Sequence, residues 1–272
     1  MQDKISLAGD LGSGKSTVAK ILVEELGMEY YSTGSICRAV AARHGMTVVE
    51  MNQYMETHPE LDKEIDDGLC ALSDVDKPLL IDSRMAWHFV RDTFKVYLST
   101  ELAVSAARIF GADRSEEKFA TVEETEQKIR ERRDSEKKRY MEFYGVNNKD
   151  LFNYHLVLDT TYATPGQVGD YLIDSFRAWQ ENRDTRFCYV SPLRLYYPAE
   201  MPEDAPTPAE MAEEIEAGAT PTIEVAFDGD RFLVVGNAPA ALGYALTDKP
   251  LVPCVLVKKE ADGEYVRMAD SL

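Results

Sequence analysis

Eight residues near the amino end of the sequence, Gly9 to Ser16, have the types and spacing of a phosphate-binding loop, G-x-x-x-x-G-K-S. Glycines in such a loop let successive backbone N–H groups close around a polyphosphate. An apolar run, Ile5 to Ala8, precedes the loop, and apolar residues at helical spacing follow it. The pattern therefore predicts a strand, a loop that holds a nucleoside triphosphate, and a helix. The alternative is a glycine-rich turn that only caps a helix.

The loop residues differ in the chemistry that they can supply. Lys15 is expected to reach the β- and γ-phosphate oxygens. The Ser16 hydroxyl is expected to bind Mg²⁺, because this ion takes one or two protein oxygens besides phosphates and waters in such sites. Thr17 offers a second hydroxyl, but it is the less favoured ligand. The residues predicted to bind the nucleotide are Gly9, Gly12, Ser13, Gly14, Lys15, Ser16 and Thr17.

A carboxylate and an arginine follow a second apolar run. Residues 78–81 read Pro-Leu-Leu-Ile, and Asp82, Ser83 and Arg84 come directly after them. Ligands of α/β nucleotide folds collect at the carboxyl ends of strands, so these side chains are expected at the site. Asp82 is predicted to hold the metal through water.

Residues 122–144 consist mostly of good helix formers, and few of them are apolar. Helical spacing places Arg132, Glu136 and Arg139 on one face, which predicts a charged helix outside the hydrophobic core. The guanidinium groups could close over phosphates as a mobile lid, and Glu136 could orient an arginine or meet a base. The alternative is a solvated helix with ordinary i,i+4 charge pairs.

The composition excludes several classes of function. A net charge of −18 argues against a general nucleic-acid surface or an anionic-membrane surface. No basic-then-apolar leader and no run of about 18 apolar residues is present, so we expect a cytoplasmic protein without a membrane span. The four cysteines and four histidines are scattered without metal-ligand spacing, which predicts reduced structural thiols and no zinc site.

Apolar runs alternate with segments of helical spacing as far as Trp179, which predicts an α/β domain with a mostly parallel sheet flanked by helices. We place this domain at residues 1–182. From residue 187 the sequence changes to short strands and a proline-rich connector, with a hairpin signal at Asp228-Gly229. Residues 187–272 are therefore predicted to form a small α+β domain. Its predicted strands are residues 189–193, 222–227, 231–235 and 252–257, and its predicted helix is 238–246.

Several motifs follow one another in order along the first 182 residues. They are Gly9 to Thr17, Ser32-Thr33-Gly34, Arg38, Asp82-Ser83-Arg84, Arg108, Arg132-x-x-x-Glu136-x-x-Arg139-Tyr140 and Asp159-Thr160-Thr161. In this order they resemble cytidylate kinases of the nucleoside monophosphate kinase superfamily. The resemblance implies an enzyme that uses ATP and Mg²⁺ to phosphorylate CMP or dCMP.

The same resemblance implies roles for individual residues. Ser32, Arg38 and Arg84 would bind the acceptor nucleotide. Arg132, Glu136 and Arg139 would belong to both the lid and the acceptor site. The catalytic residues would be Lys15, Arg108, Arg132 and Arg139.

Three positions depart from the pattern of that family. Asp10-Leu11 stands where the family tends to have proline, and this places an extra carboxylate near the phosphates. Ser83 replaces the glycine before the strand-end arginine. Gly111 and Ala112 stand where a second lid arginine is usual, and Arg114 is the nearest substitute. The resemblance thus leaves open a nucleotide-regulated binding module with weak turnover, or another small-metabolite kinase such as dephospho-CoA kinase.

The carboxyl-terminal segment resembles ParB/sulfiredoxin-like domains over roughly 80 residues. The resemblance rests on the strand order, on Ser191-Pro192-Leu193-Arg194-Leu195 and on a glycine after Val234-Val235. Those domains carry a charged or reactive residue just after that glycine, whereas this chain has Asn237 and Ala238. We therefore expect a packing, regulatory or partner-docking module. No oligomeric interface is predicted, and a monomer is compatible with the sequence.

Overall fold

The computed structural model describes residues 3–34, 41–55, 58–112, 119–201, 204–259, 261 and 263–271. The chain divides into two compact units, residues 1–154 and 155–272. The predicted domain ranges, 1–182 and 187–272, differ from this division in their boundary and stay a prediction. Among the described residues, no helix is long and apolar enough to cross a membrane.

The first unit contains a four-stranded parallel sheet in the order β4-β1-β3-β2. The buried central strand β1 forms because its apolar residues are covered on both faces, as is typical of parallel sheets. Its polar side chains are satisfied inside the protein. Lys4 Nζ donates to the Ser73 carbonyl at 3.0 Å, and the hydroxyls of Ser6 and Thr93 are 2.9 Å apart. The strands are β1 Lys4–Gly9, β2 Glu29–Ser32, β3 Leu79–Asp82 and β4 Thr93–Ser99.

Six α-helices of this unit have both ends within the described residues. They are α1 Lys15–Leu26, α2 Val48–Met55, α3 Pro59–Ala71, α4 Ala86–Phe89, α5 Leu102–Phe110 and α6 Val122–Tyr144. The bounds of α6 agree with the helical segment predicted at residues 122–144. Thr121 caps α6 by accepting a hydrogen bond from the Glu124 N–H.

Helix α6 corrects one expectation, because its inner face is part of the core. Ile129 packs against Ala106 and Ile109, and Tyr140 packs in a second apolar cluster with Ile81. Its buried polar and charged residues are Thr125, Glu136 and Arg139. A polar composition concealed this face, because arginine and glutamate occupy positions that apolar residues fill in most core helices.

The second unit contains a mixed sheet in the order β11-β7-β9-β8-β10-β6-β5. Parallel and antiparallel pairings alternate across it. The strands are β5 Leu156–Asp159, β6 Phe187–Val190, β7 Leu195–Pro198, β8 Ile223–Phe227, β9 Phe232–Gly236, β10 Val252–Leu256 and β11 Tyr265–Arg267. In the described part of this unit, three α-helices accompany them, α7 Pro165–Glu181, α8 Pro208–Glu216 and α9 Ala238–Ala245.

Helix starts in this unit follow the chemistry of helix caps. Thr164 and Gln167 form a reciprocal capping box at α7, and Thr207 and Glu210 form another at α8. Proline is the first helical residue in both cases, where its missing N–H costs nothing. The predicted strand 189–193 is wrong beyond Val190, because residues 192–194 form a single 3₁₀ turn that begins at a proline.

The α/β class with a mostly parallel sheet flanked by helices is thus confirmed. One buried ion pair organises the described core of the second unit. Arg194 Nη1 donates to Asp159 Oδ1 at 2.7 Å, and the other carboxylate oxygen accepts the Ser191 N–H at 3.1 Å. Asp159 also accepts from the N–H and the hydroxyl of Thr161. The aspartate of the predicted Asp-Thr-Thr motif therefore has a clear structural role.

Candidate active site

The phosphate-binding loop connects β1 to α1, and glycine is required where the backbone turns. Gly12 has φ 72°, and a Cβ atom there would come within 2.8 Å of the Ser105 carbonyl oxygen in α5. Gly14 has φ 81° and is the amino-terminal cap of α1, with no side chain to cover the free N–H groups. The loop therefore leaves the positive end of a helix open to an anion.

The side chains of the loop and of the first turn of α1 differ in their exposure. Ser13 is buried, whereas Ser16 and Thr17 in the first turn of α1 are exposed. Lys15 is half-buried and folds back on the loop, and its Nζ donates to the carbonyls of Gly9 (3.1 Å) and Asp10 (2.9 Å). These carbonyl contacts hold the ammonium group beside the loop.

Burial, together with the positive charge of Arg84, lowers the pKa of Lys15 to about 8. Asp82, Asp10 and Glu136 act in the opposite direction. Four charged residues from three different parts of the sequence thus act on one ammonium group. The structure brings the predicted loop lysine and the predicted strand-end and α6 residues into one electrostatic site.

Glu136 joins the end of β3 to α6. Its Oε2 lies 3.0 Å from Arg84 Nε, and its Oε1 lies 3.0 Å from Arg132 Nε. Arg84 also approaches the loop, with Nη1 at 3.5 Å from the Gly9 carbonyl oxygen. Arg139 is buried, and its guanidinium carbon lies 5.3 Å from the centre of the Tyr140 ring.

The pKa of Glu136 reflects this arrangement. Burial by itself would raise the pKa, but the charges of Arg84, Arg132 and Arg139 together hold it below its ordinary value. The carboxylate is therefore ionised at neutral pH and neutralises part of the positive charge around it. Three guanidinium groups share one carboxylate, which leaves a net positive charge for a phosphate.

The remaining predicted residues have simpler positions. Arg108 is exposed on α5, and its Nη1 donates to the Gly12 carbonyl at 3.3 Å. Ser32 ends β2 and is in register with Asp82 at the end of β3. Arg38 and Arg114 lie outside the described residues. Their predicted roles stay predictions.

Asp82 and Ser16 are the residues predicted to hold Mg²⁺, and this role stays a prediction. Asp82 is half-buried, and one of its oxygens accepts the Tyr30 hydroxyl at 2.9 Å. Among the residues that the structure describes, no three His, Cys, Asp or Glu side chains are close enough to hold a metal by themselves. A hydroxyl and one carboxylate fit a hard ion that takes most of its ligands from phosphates and water.

Two cations at the loop were missed by the sequence prediction. Arg133 Nη2 and Lys149 Nζ lie 3.0 Å and 3.4 Å from Asp10 Oδ1. A sequence signal for Arg133 exists, since it continues the spacing of Thr125 and Ile129 along the buried face of α6. Lys149 follows the end of α6 and carries no such signal.

These features define a phosphate-binding-loop protein with the fold of the P-loop kinases. Residues 4–162 match the cytidylate kinase-like family, and the chain belongs to that family.

Curated relatives include two different kinds of enzyme. The chain is 33% identical over 226 residues to an S-adenosylmethionine-dependent nucleotide dehydratase from Lacinutrix mariniflava, a match that covers 75% of this chain and 46% of that enzyme. This chain therefore spans less than half the length of that relative. It is 35% identical over 158 residues to a cytidylate kinase from Archaeoglobus fulgidus, covering 58% of this chain and 85% of that kinase.

Among solved structures, a shikimate kinase from Bacteroides thetaiotaomicron aligns with a TM-score of 0.46 and 14% identity. That alignment covers 64% of this chain and 98% of the kinase. A likeness of this size has no bearing on the reaction.

Proposed function

We propose that the protein transfers the γ-phosphoryl group of ATP to CMP or dCMP, giving CDP or dCDP. The observation that carries the proposal is the Glu136 carboxylate between Arg84 and Arg132, beside Lys15 of the phosphate-binding loop. A donor site made of backbone N–H groups and an acceptor site made of arginines adjoin at Arg84. Phosphoryl transfer requires little more than this positioning and charge neutralisation.

In this proposal each described residue has a defined task. The loop N–H groups, Ser13, Ser16, Thr17 and Lys15 hold the triphosphate. Arg84 binds the acceptor phosphate together with Ser32, and Glu136 keeps the guanidinium groups of Arg84 and Arg132 oriented until a phosphate binds. Arg108, Arg132 and Arg139 neutralise charge on the migrating group.

The Mg²⁺ ion would be held by Ser16 directly and by Asp82 through water. When bound, it would neutralise phosphate charge and align the donor oxygens. The two residues keep the oxygen ligands on the loop side of the sheet, where β1 and β3 end.

The relatives support a nucleotide as the acceptor. The match to the dehydratase covers 75% of this chain. Even if the whole uncovered quarter lay within residues 4–162, the match would still include more than half of the region that matches the kinase family. The name of the dehydratase specifies a nucleotide, and the name of the archaeal kinase specifies cytidylate. A nucleotide acceptor is therefore favoured over a small metabolite such as the one used by dephospho-CoA kinase.

A second candidate is a nucleotide-regulated binding module with weak turnover. It is favoured by Gly111 and Ala112 at the place of the usual second lid arginine. In this reading the carboxyl-terminal unit, proposed to be ParB/sulfiredoxin-like, would dock a protein partner. Both candidates are compatible with the proposed cytoplasmic location.

Steady-state assays of the full chain distinguish these candidates. ADP formation from Mg-ATP is measured alone and with CMP, dCMP, UMP or AMP, and the diphosphate products are identified by chromatography. We expect CMP or dCMP to accelerate ADP formation by about two orders of magnitude or more. Lys15→Ala serves as the control without the loop cation. If no monophosphate accelerates ADP formation while Mg-ATP still binds, the binding module is the correct assignment.

A further inference from the structure

Asp10 is a buried carboxylate inside the phosphate-binding loop, and only 4% of its surface is exposed. Two contacts fasten it to the end of β4. Its N–H donates to the Leu98 carbonyl at 2.9 Å, and its Oδ2 accepts the Thr100 N–H at 3.0 Å. The orientation of the carboxylate is therefore set by the sheet.

The other oxygen of Asp10 faces three donors. Oδ1 accepts the Tyr97 hydroxyl at 3.1 Å and lies within ion-pair distance of Arg133 and Lys149. Arg133 is in the middle of α6, and its side chain is 14% exposed. One carboxylate of the loop thus pairs with two cations, one on α6 and one just after it.

The contact of Arg133 with Asp10 is close to two α6 residues of the candidate active site. Arg132 and Glu136 lie beside Arg133 on the same helix, and both belong to the arginine cluster of the candidate active site. Apolar contacts hold α6 at Ile129 and at Tyr140, on either side of Arg133. Between these two contacts, the ion pair with Asp10 fixes how close the helix stands to the loop.

We propose that Asp10 is a positioning residue, which latches α6 to the phosphate-binding loop through Arg133 and Lys149. The latch keeps Arg132 and Glu136 at the distance from the loop that transfer requires. The inference rests on the proposed kinase activity for its catalytic consequence. The contact between α6 and the loop can itself be tested in protein prepared without nucleotide.

The latch determines which molecule accepts the phosphoryl group, the nucleotide or water. With α6 docked, the arginines hold the nucleotide acceptor and water is kept out. With α6 detached, water reaches the bound ATP and accepts the γ-phosphoryl group, so ADP and inorganic phosphate form without CDP. The molar ratio of CDP formed to ADP formed therefore reports the latch.

Three variants and one control test the proposal in the full chain. Asp10→Asn keeps the shape of the side chain and removes its charge, Arg133→Gln removes the cation, and the third variant combines both. Arg130→Gln is the matched control, because Arg130 pairs with Glu126 on the exposed side of the same helix.

The first measurement is hydrogen exchange of the unliganded protein. We expect amides of residues 130–137 to exchange about tenfold faster in Asp10→Asn and in Arg133→Gln, while α1 keeps its wild-type rates. The double variant should resemble Asp10→Asn, since that substitution already removes the ion pair with Arg133 together with the one with Lys149. Unchanged exchange in α6, or equal acceleration in α1 and α6, would overturn the latch.

The second measurement is the ratio of CDP to ADP at saturating CMP and Mg-ATP. Wild type and Arg130→Gln should give a ratio close to one, and Asp10→Asn should lower it several-fold. A merely structural role would reduce the amount of active protein and leave the ratio unchanged, which contradicts the proposal. If the wild type forms no CDP, the kinase assignment fails, and the exchange measurement alone decides whether the latch exists.

Discussion

Arg84 and Glu136 form an ion pair with 3.0 Å between Nε and Oε2, and the side chains are 20% and 4% exposed. The pair connects the loop after β3 with α6. Because the second oxygen of Glu136 pairs with Arg132, one buried negative charge holds two guanidinium groups in place. Changes at Glu136 should therefore affect both the stability of the unit and the binding of phosphate.

Glu136→Gln should destabilise the protein by about 3–5 kcal/mol, the usual cost of removing one partner from a buried ion pair. Arg84, Arg132 and Arg139 then lose the carboxylate charge that they share. The measurement is urea unfolding followed by circular dichroism. The matched control is Glu126→Gln, which removes an exposed partner on the same helix and should leave the midpoint unchanged.

The effect of Glu136→Gln also has a defined pH dependence. The folded-state pKa of Glu136 is lowered, so its stabilising contribution is complete above the unfolded value of 4.5 and is lost as the pH falls through the folded value. Wild type and variant should therefore converge in stability below pH 4.5. A constant difference across this range would contradict the ion-pair account.

Arg132→Gln should lower kcat/KM for CMP by about 10²- to 10³-fold, because a guanidinium that neutralises the migrating group is lost. Arg130→Gln, two residues away on the exposed side, should change kcat/KM by less than about twofold. Initial rates at several CMP concentrations provide the measurement. Equal effects of the two substitutions would show that the charge of the helix matters and its geometry does not.

The lowered pKa of Lys15 predicts that the affinity for Mg-ATP falls at alkaline pH. Burial and the charge of Arg84 bring its pKa to about 8, so the ammonium group loses its proton above that pH unless a phosphate restores it. The Kd should rise by up to about tenfold per pH unit above pH 8. Calorimetry should also detect proton uptake on binding at pH 8.

Lys15→Arg provides the control, since a guanidinium stays charged throughout this range. Its Kd should be independent of pH between 7 and 9.5, within about twofold. The stability of the wild type without nucleotide should change in the opposite direction to its Mg-ATP affinity, and rise with pH. The unfolded chain, with a lysine pKa of 10.5, binds more protons between pH 8 and 10.5, so this group makes folding more favourable as the pH rises there.

Local patterns were sufficient to predict much of the kinase-like unit. Helix α6 follows from a run of good helix formers, and Arg132 and Glu136 share a face because of the helical repeat alone. The contact of Asp10 with Arg133 could not be predicted in this way. This contact depends on how α6 packs against the loop. Sequence periodicity relates residues within one helix or strand, and it gives no information about two residues in distant elements.

The strand of residues 189–193 shows a different limit. Alternating apolar residues favoured an extended segment, but Pro192 cannot donate a ladder hydrogen bond and starts a 3₁₀ turn. The pairing of Arg194 with buried Asp159 then holds that turn in place. The backbone preference of proline and the charge of the distant Asp159 together favour the 3₁₀ turn over a longer strand.

Asn237→Ala should destabilise the carboxyl-terminal unit by about 1–2 kcal/mol, because Asn237 has φ 59°, a conformation unfavourable for alanine. It also loses the hydrogen bond from Nδ2 to the Thr222 carbonyl, 3.0 Å long. Asn237→Gly should retain more stability, since glycine tolerates this φ. Thermal unfolding distinguishes the two variants.

Kinase kinetics should be unchanged in both Asn237 variants, because we infer no catalytic group at this position. The test is kcat and KM for CMP at a temperature where each variant is folded. A change in kcat with intact folding would show that the second unit takes part in catalysis, contrary to the packing or docking role.

The parallel pairing of β5 with β6 has a practical consequence for anyone who shortens this protein. Leu156, Val157 and Leu158 are in register with Phe187, Cys188 and Tyr189. A chain that stops at residue 182 would keep β5 but lose this neighbour, which exposes a row of unsatisfied backbone groups beside apolar side chains. Bare edges of this kind recruit other chains, so such a fragment should precipitate on expression unless β6 is retained.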